Sequence, residues 1–331
     1  MSDKRTVAIV TGASRGAGQG IARALGQHGC TVYVTGRTLN AGDHALGGTI
    51  GATAAMVTEA GGQGVAVKCD HSNPDDVKAF FAQVMEEQGR IDILVNNAAA
   101  VYDELSMPGG FWERPLKLGD MIDVGIRSSF DAAWYAAQAM VAQNNGLIVF
   151  TSGAGAEHYV FSPAYGAHKA AMDKMAFDMG MEFDHAGANV AAISVWMGAV
   201  MTERLRMVID SDPAKFGALE AGSEEPEFTA ILPGRCITIR SVRRAMARPS
   251  LAPSWRAITG SVALAGAIRR ATAIPTVSSR ALSRNSRRCG RADGYGDPPC
   301  SARSANAGSA RPSGYSGMHQ AHVARQRSLR R

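Results

Sequence analysis

A tyrosine and a lysine in the middle of the chain have a spacing that could support proton transfer. Tyr165 and Lys169 are four residues apart, so a helix would place them on the same face. A lysine ammonium close to a phenol favours the ionised phenol. A phenol with a lowered pKa can give or take a proton near neutral pH, as hydride transfer at a carbonyl requires. Because such pairs also arise by chance on helix surfaces, this interpretation needs support from other parts of the chain.

The N-terminal segment has the pattern of a dinucleotide-binding unit. Thr6–Val10 is a short apolar, β-branched run typical of a buried parallel strand. The glycine-rich stretch Thr11–Gly18 follows at once, and a segment with helical spacing comes after it. In such a unit Gly12 would allow the tight turn, Gly16 a close backbone approach to a pyrophosphate, and Gly18 close packing of helix and strand. The alternative is a glycine-rich turn without a ligand.

Four motifs in order resemble those of the short-chain dehydrogenase/reductase family. Thr11–Gly18 resembles its TGxxxGxG motif, and Asn96–Ala99 resembles its NNAG element with alanine in the last place. Ser152 precedes Tyr165 by thirteen residues, as the catalytic serine of the family does, and Tyr165 with Lys169 matches its YxxxK pair.

The resemblance extends over residues 5–236. Within the family, four stretches look most similar to the branch that contains dehydrogenase/reductase family member one: Val7–Arg37, Cys69–His71, Phe111–Glu113 and Gly146–Lys169.

Strand and helix patterns alternate along this part of the chain. After the first strand, further strands are predicted at Thr31–Thr35, Gly64–Cys69, Ile91–Val95, Leu147–Phe150 and Val190–Val195. Helices are predicted at Asp75–Gln88, Met121–Ala142 and Pro163–His185. Repeated βα units with right-handed crossovers predict an α/β fold, a doubly wound parallel sheet of the Rossmann type with three α/β/α layers. Ligands of such sheets bind beyond the carboxyl ends of the strands.

The end of the second strand favours NADP(H) over NAD. Gly36 stands where NAD-binding members of the family carry aspartate, and Arg37 follows it. Arg15 is the second basic position that NADP-binding members use. Guanidinium groups bind phosphate dianions well, although Arg37 could also be an ordinary solvated charge.

The resemblance implies a full set of cofactor-binding positions. They are Gly12, Ser14, Arg15, Gly16, Ala17, Gly18, Arg37, Asp70, His71, Asn96, Ala98, Tyr165, Lys169, Gly198, Val200 and Thr202.

The resemblance also implies the catalytic roles. Tyr165 would exchange the proton with the carbonyl oxygen, Lys169 would hold the nicotinamide ribose and lower the pKa of the phenol, and Ser152 would orient the substrate. Gly125 occupies the place of a fourth catalytic residue, normally asparagine. Two functions stay open: an NADP-dependent oxidoreductase acting on a carbonyl or alcohol, and an inactive dinucleotide-binding protein that acts through binding or assembly. The adjacent His168 should point away from Lys169 and be packed or exposed.

Partners can also be predicted. Tyr102, Tyr159, Phe161, Trp196 and several methionines suggest an apolar or aromatic carbonyl or alcohol substrate. The family's dimers use the two long helices, so a homodimer or homotetramer is expected. No metal is expected, since the five cysteines have no metal-ligand spacing. With neither a signal peptide nor an apolar run of membrane-spanning length, a cytoplasmic protein without a membrane span is expected.

The charge of the chain divides it into two unequal parts. Residues 1–234 hold 16 lysines and arginines against 27 acidic residues, whereas residues 235–331 hold 19 arginines, two aspartates and no lysine. We predict a Rossmann-type domain at 1–236, a degraded end of it at 237–265 with a possible last strand near Ser261–Leu264, and a disordered tail at 266–331. The composition of the tail favours a frameshift over an evolved tail. A nucleic-acid-binding arm is the functional alternative, but no nucleic acid is expected, because no binding module is visible.

Overall fold

The computed structural model describes residues 5–211, 213–217, 220, 223, 225–226 and 258–259. The described residues form a doubly wound parallel sheet with helices on both faces, as predicted. The strands are β1 (Val7–Val10), β2 (Thr31–Gly36), β3 (Gln63–Lys68), β4 (Ile93–Asn96), β5 (Gly146–Ser152), β6 (Val190–Trp196) and β7 (Ile258–Thr259). Their order is β3-β2-β1-β4-β5-β6-β7, and every pair is parallel.

Helices cover the two faces of the sheet and create two hydrophobic cores. The described helices are α1 (Gly16–Gln27), α2 (Ile50–Glu59), α3 (Pro74–Gln88), α4 (Ser128–Ala142), α5 (Pro163–His185), α6 (Glu203–Ser211) and α7 (Pro213–Phe216). Ala8 and Val10 of β1 pack with α1 and α2, while Val7 and Ile9 pack with α3, α4 and α5. Because successive side chains of a strand point to opposite faces, this alternation produces the three-layer architecture.

The helix α5 has the predicted limits, and local signals set its beginning. The Ser162 hydroxyl accepts a hydrogen bond from the backbone N–H of Tyr165 at 3.2 Å. Pro163 then occupies the first turn, where its missing N–H costs nothing.

The prediction of one continuous helix over Met121–Ala142 was wrong in its first two turns. Val124 (φ −99°, ψ 85°) and Gly125 (φ 157°, ψ −75°) are not helical, and regular α-helix begins only at Ser128. Hydrogen bonds satisfy the backbone at this break. The Val124 carbonyl accepts from the N–H of Ala100 at 2.8 Å, and the N–H of Gly125 donates to the Ser128 hydroxyl at 3.1 Å.

The last described strand lies at the edge of the sheet beside β6. Ile258 pairs with Val195, and Thr259 pairs with Trp196. This strand begins before the predicted Ser261–Leu264, which lies outside the described residues, as does the predicted tail at 266–331. Within the described ranges, no helix is both long enough and apolar enough to cross a bilayer.

Candidate active site

The three predicted catalytic residues meet where β5 ends against the first turns of α5. The ammonium of Lys169 lies 5.5 Å from the centre of the Tyr165 ring. The Ser152 hydroxyl donates a hydrogen bond to the backbone carbonyl of Lys169 at 3.1 Å, and the ammonium donates to the carbonyl of Thr151 at 3.1 Å. The last residues of the strand therefore tie the lysine to the sheet beside the tyrosine.

Burial dominates the electrostatics of the tyrosine and the lysine. Desolvation lowers the pKa of Lys169 to about 8, and the carboxylate of Asp173 opposes this shift in part. Desolvation raises the pKa of the Tyr165 phenol. The expected lowering of the phenol's pKa by Lys169 therefore does not appear in the described chain, where burial alone shifts the pKa of the phenol and raises it.

A buried histidine fills the space beside Gly125. A Cβ atom at position 125 would lie 3.0 Å from Cδ2 of His168, so an asparagine there would require the imidazole to shift by a few tenths of an ångström. His168 is only 3% exposed, and its Nδ1 has no hydrogen-bond partner among the described residues. Desolvation and the charge of Lys169 lower the pKa of the imidazole to about 3, so the ring is neutral. His168 is thus packed, one of the two expected outcomes.

The glycine turn packs tightly against the end of β4. A Cβ atom at Gly12, whose φ is +63°, would lie 2.7 Å from the Cα of Ala98. A Cβ atom at Gly18 would lie 2.5 Å from the Asn97 side chain. The Thr11 hydroxyl also accepts hydrogen bonds from the N–H groups of Asn97 and Ala98, at 2.9 and 3.0 Å. These contacts bring two predicted cofactor-binding elements together.

The N-terminus of α1 is the position predicted for the pyrophosphate. Arg15 is its N-cap but makes no side-chain capping hydrogen bond, so backbone N–H groups of the first turn, which includes Ala17, are available to a ligand. The carboxylate of Glu203, which the sequence analysis had not singled out, accepts from the N–H of Gly16 at 3.4 Å. A Cβ atom at Gly16 would lie 3.2 Å from Cγ2 of Thr202. The uncapped N–H groups and the close approach possible at Gly16 fit a pyrophosphate, whereas the negative charge of Glu203 beside the Gly16 N–H would oppose one.

Other predicted cofactor positions lie around this turn. Gly198 and Val200 lie between β6 and α6, and Ser14 is buried in the glycine turn. The side chain of Asn96 is buried, and neither its amide nitrogen nor its oxygen has a hydrogen-bond partner among the described residues. These two unpaired polar atoms at the carboxyl end of β4 also fit a polar ligand.

Two guanidinium groups lie near the end of β2. Arg15 donates from Nε to the carbonyl of Gly47 at 2.8 Å and from a terminal nitrogen to the hydroxyl of Thr38 at 2.8 Å. Arg37 is exposed, and its guanidinium lies 3.8 Å from the carboxylate of Asp70. Desolvation lowers the pKa of Arg15, and the charge of Arg37 is a smaller contributor in the same direction. Both guanidinium groups thus lie near the end of β2, and each is engaged with oxygen atoms of the protein.

The side chain of His71 faces the interior. Its Nε2 lies 2.7 Å from the hydroxyl of Thr35, and desolvation lowers its pKa to about 4. The contact of His71 with the nucleotide remains a prediction, and the backbone of His71 rather than its side chain would have to make it.

Of the aromatic residues predicted to enclose the substrate, some lie around Tyr165, whereas Trp196 is directed at α5. Tyr102 and Tyr165 pack against a small apolar cluster of Leu105, Leu118 and Met121. The ring of Phe161 lies at right angles to that of Tyr165, with 5.1 Å between their centres, and the Tyr159 hydroxyl donates to the Phe161 carbonyl. Trp196 instead donates from its indole nitrogen to Asp173 of α5 at 2.8 Å, so its polar edge is directed at this helix.

Known proteins share both the sequence pattern and the fold. A family model for short chain dehydrogenases matches residues 6–212. The chain is 42% identical over 204 residues to human Dehydrogenase/reductase SDR family member 1, covering 60% of this chain and 62% of that protein. The mouse protein of that name is 40% identical over 234 residues, with 70% and 69% covered. The matched part thus spans less than two thirds of the human relative.

Two solved structures show the same architecture. A metagenomic short-chain oxidoreductase in complex with NADP is 27% identical, with a TM-score of 0.54 over 70% of this chain and 90% of the other. A short-chain type dehydrogenase/reductase from Mycobacterium marinum is 26% identical, with a TM-score of 0.60 over 72% and 91%. The chain therefore belongs to the short-chain dehydrogenase/reductase family, in a branch similar to dehydrogenase/reductase SDR family member 1.

Proposed function

We propose that this protein is an NADP(H)-dependent oxidoreductase that interconverts a carbonyl compound and its alcohol, with Tyr165 as the acid and base. The observation that carries the proposal is the meeting of Tyr165, Lys169 and Ser152 at the carboxyl end of β5. Bound at the glycine turn, NADPH would supply the hydride.

The residues of the chain would supply the proton and the orientation. In the reducing direction, the Tyr165 hydroxyl gives its proton to the carbonyl oxygen and becomes a phenolate. Lys169, held by the Thr151 carbonyl, stabilises that phenolate because its ammonium lies nearby. The Ser152 hydroxyl, which donates to the Lys169 carbonyl in this structure, would turn to the substrate oxygen and stabilise its developing charge.

NADP(H), rather than NAD, is proposed as the cofactor. The two guanidinium groups of Arg15 and Arg37 near the end of β2, and the lack of an acidic residue at Gly36, support a site for the 2′-phosphate. The metagenomic relative was solved with NADP. We also propose a cytoplasmic location, which the free and buried thiols of Cys30 and Cys69 fit.

Binding and turnover measurements distinguish an enzyme from the second candidate, a dinucleotide-binding protein without activity. The second candidate rests on Gly125, which replaces the usual asparagine and lies tightly against the His168 ring. NADPH and NADH binding is measured by fluorescence, and turnover is measured on a panel of ketones and quinones. Turnover of any compound in the panel, abolished by Tyr165→Phe, supports the enzyme. NADPH binding without turnover supports the second candidate.

A further inference from the structure

The residue four positions before Tyr165 has an unusual backbone conformation. Phe161 has φ = +63° although it is not glycine. Bulky L-residues rarely adopt this left-handed region, and such strain is often found at functional sites. The ring of Phe161 lies against that of Tyr165 at an interplanar angle of 90° but remains 46% exposed. The strained residue thus places an accessible aromatic surface beside the proposed proton donor.

Contacts on both sides hold this conformation. The Phe161 carbonyl accepts hydrogen bonds from a terminal nitrogen of Arg114 at 2.5 Å and from the Tyr159 hydroxyl at 3.1 Å. The same Arg114 nitrogen donates to the carbonyl of Leu105 at 3.3 Å. On the other side, Ser162 caps α5, so the chain direction after Phe161 is also fixed.

The contacts of Tyr165 define the space left for a substrate. The small cluster of Leu105, Leu118 and Met121 packs against its ring, and Phe161 lies edge-on to it. The exposed part of the Phe161 ring therefore borders the approach to the phenol. An aromatic ring there offers a planar apolar contact to a group attached to the reacting carbonyl.

We propose that Phe161 is a specificity-determining residue that selects carbonyl substrates with an aryl group next to the carbonyl, and that Arg114 is the positioning residue that holds Phe161 in its left-handed conformation. This inference rests on the proposed oxidoreductase function. It names the substrate class of that site and assigns a role to Arg114, which the sequence analysis had not singled out.

The first test compares an aryl ketone with a small aliphatic ketone. For Phe161→Ala we expect kcat/KM for acetophenone to fall at least tenfold more than kcat/KM for 2-butanone, while the Kd of NADPH stays within twofold. Phe111→Ala is the matched control, because Phe111 is also an exposed aromatic but packs on Trp112. Equal losses for the two ketones would overturn the role of Phe161.

The second test asks whether Arg114 acts through Phe161. Glycine adopts a positive φ without strain, so Phe161→Gly removes both the aromatic ring and the need for the clamp. In the chain that is otherwise unmutated, Arg114→Met should lower the ratio of kcat/KM for acetophenone to kcat/KM for 2-butanone severalfold, and Arg114→Lys should lower it less. In the Phe161→Gly background, Arg114→Met should have little effect on this ratio. The same loss in both backgrounds would contradict the positioning role.

The two proposals fail in different ways. If the unmutated chain turns over neither ketone nor any other compound of the panel, the oxidoreductase proposal is overturned and this inference with it. If the unmutated chain reduces both ketones but its selectivity does not depend on Phe161, only this inference is overturned.

Discussion

Tyr165 sits among apolar groups, and this environment sets what its hydroxyl can do. Packing against Leu105, Leu118 and Met121, with Phe161 edge-on, raises the pKa of the phenol. A protonated phenol at neutral pH is the correct form to donate a proton to a carbonyl oxygen. The nearby Lys169, whose own pKa burial lowers to about 8, can then stabilise the phenolate that forms.

We predict that Tyr165→Phe abolishes turnover while the affinity for NADPH changes by no more than a few-fold. The substitution removes the proton donor, whereas no phosphate of the cofactor depends on this hydroxyl. Steady-state rates and fluorescence titration provide the measurement. Tyr135→Phe is the control, because Tyr135 stacks on Phe81, away from the site. Full activity of Tyr165→Phe would remove Tyr165 from the mechanism.

We predict that the protein binds NADPH more tightly than NADH and that Arg37→Ala erodes this preference. A hydrogen bond to a charged group contributes roughly 1.5–3 kcal/mol, which corresponds to about a ten- to a hundredfold change in affinity. The ratio of the two Kd values is the measurement. Lys174→Ala removes an equally exposed cation from α5 and should leave the ratio unchanged. Tighter binding of NADH by the unmutated protein would be the contrary result.

Local signals determine how well each element could be predicted. The beginning of α5 follows from Ser162, its N-cap, and Pro163, its first residue. The break at Val124 and Gly125 depends on Ala100 and on the His168 ring, which approach only in the folded chain. The helix α2 (Ile50–Glu59) was not predicted, because its alanines and threonines give little apolar periodicity, although Thr49 caps it.

The same distinction applies to the candidate site. Tyr165, Lys169 and the glycine turn were found because their spacing within single elements carries the chemistry. Arg114 and Glu203 were missed, since their partners are 47 and 187 residues away along the chain. Nothing in the local sequence of either residue indicates these contacts.

The helix α4 presents an apolar face that the described residues leave exposed. Phe130 and Trp134 lie on it, with Trp134 54% exposed, and Ile122 lies just before the helix. A cavity of about 260 Å³ between α4 and the start of α3 is lined in part by the same two aromatic residues. Met140 of the same helix and Met172 of α5 are buried in the core.

We predict that the protein self-associates through α4 and α5 and that Trp134→Glu weakens the association. A charge on a surface that becomes buried between two copies is costly unless it is paired. Light scattering at micromolar concentration should show a dimer or tetramer for the unmutated chain and a smaller mean mass for the variant. Met56→Glu, on the exposed surface of α2, is the control. A monomeric unmutated chain would contradict the prediction.

Two buried histidines make the stability of the whole molecule sensitive to acid. Burial lowers the pKa of His71 to about 4 and that of His168 to about 3. In the folded protein, both histidines therefore stay neutral from pH 6.5 down to about pH 4. In the unfolded chain, each histidine binds a proton over this range. The unfolded state then holds more protons, so the free energy of unfolding falls as the pH falls.

We expect this loss mainly between about pH 6.5 and pH 4, at up to about 1.4 kcal/mol per pH unit and histidine. Urea unfolding at pH 7 and pH 5 measures it. His168→Asn should reduce the difference between the two pH values, while His28→Asn, at an exposed position, should not. If the free energy of unfolding of His168→Asn differs between pH 7 and pH 5 by as much as that of the unmutated chain, another group causes the acid sensitivity.

We predict that residues 266–331 can be removed without loss of cofactor binding or stability. Truncation after Ala265 keeps β7, so NADPH binding and the Tm should stay nearly unchanged. Truncation after Cys236 removes Ile258 and Thr259, which pair with the end of β6, and should lower stability or solubility. Thermal unfolding of both truncated chains makes the comparison. A large loss after the first truncation would show that residues 266–331 contribute to the fold.

Sequencing the gene through the codons for Cys236 to Ala265 tests the frameshift hypothesis directly. A verified reading frame, together with resistance of the last residues to proteases, would show that the arginine-rich segment is a folded and selected part of the protein.

The strand order has a consequence for the time course of folding. β1 lies between β2 and β4, and its first residue, Val7, donates a hydrogen bond to Asp92, 85 residues further along the chain. Because closing so long a loop is slow, β1 must wait for β4, both in refolding and on the ribosome. Until β4 has left the ribosome, β1 and the glycine turn have one unpaired edge, so the nucleotide site cannot form on the first two strands alone.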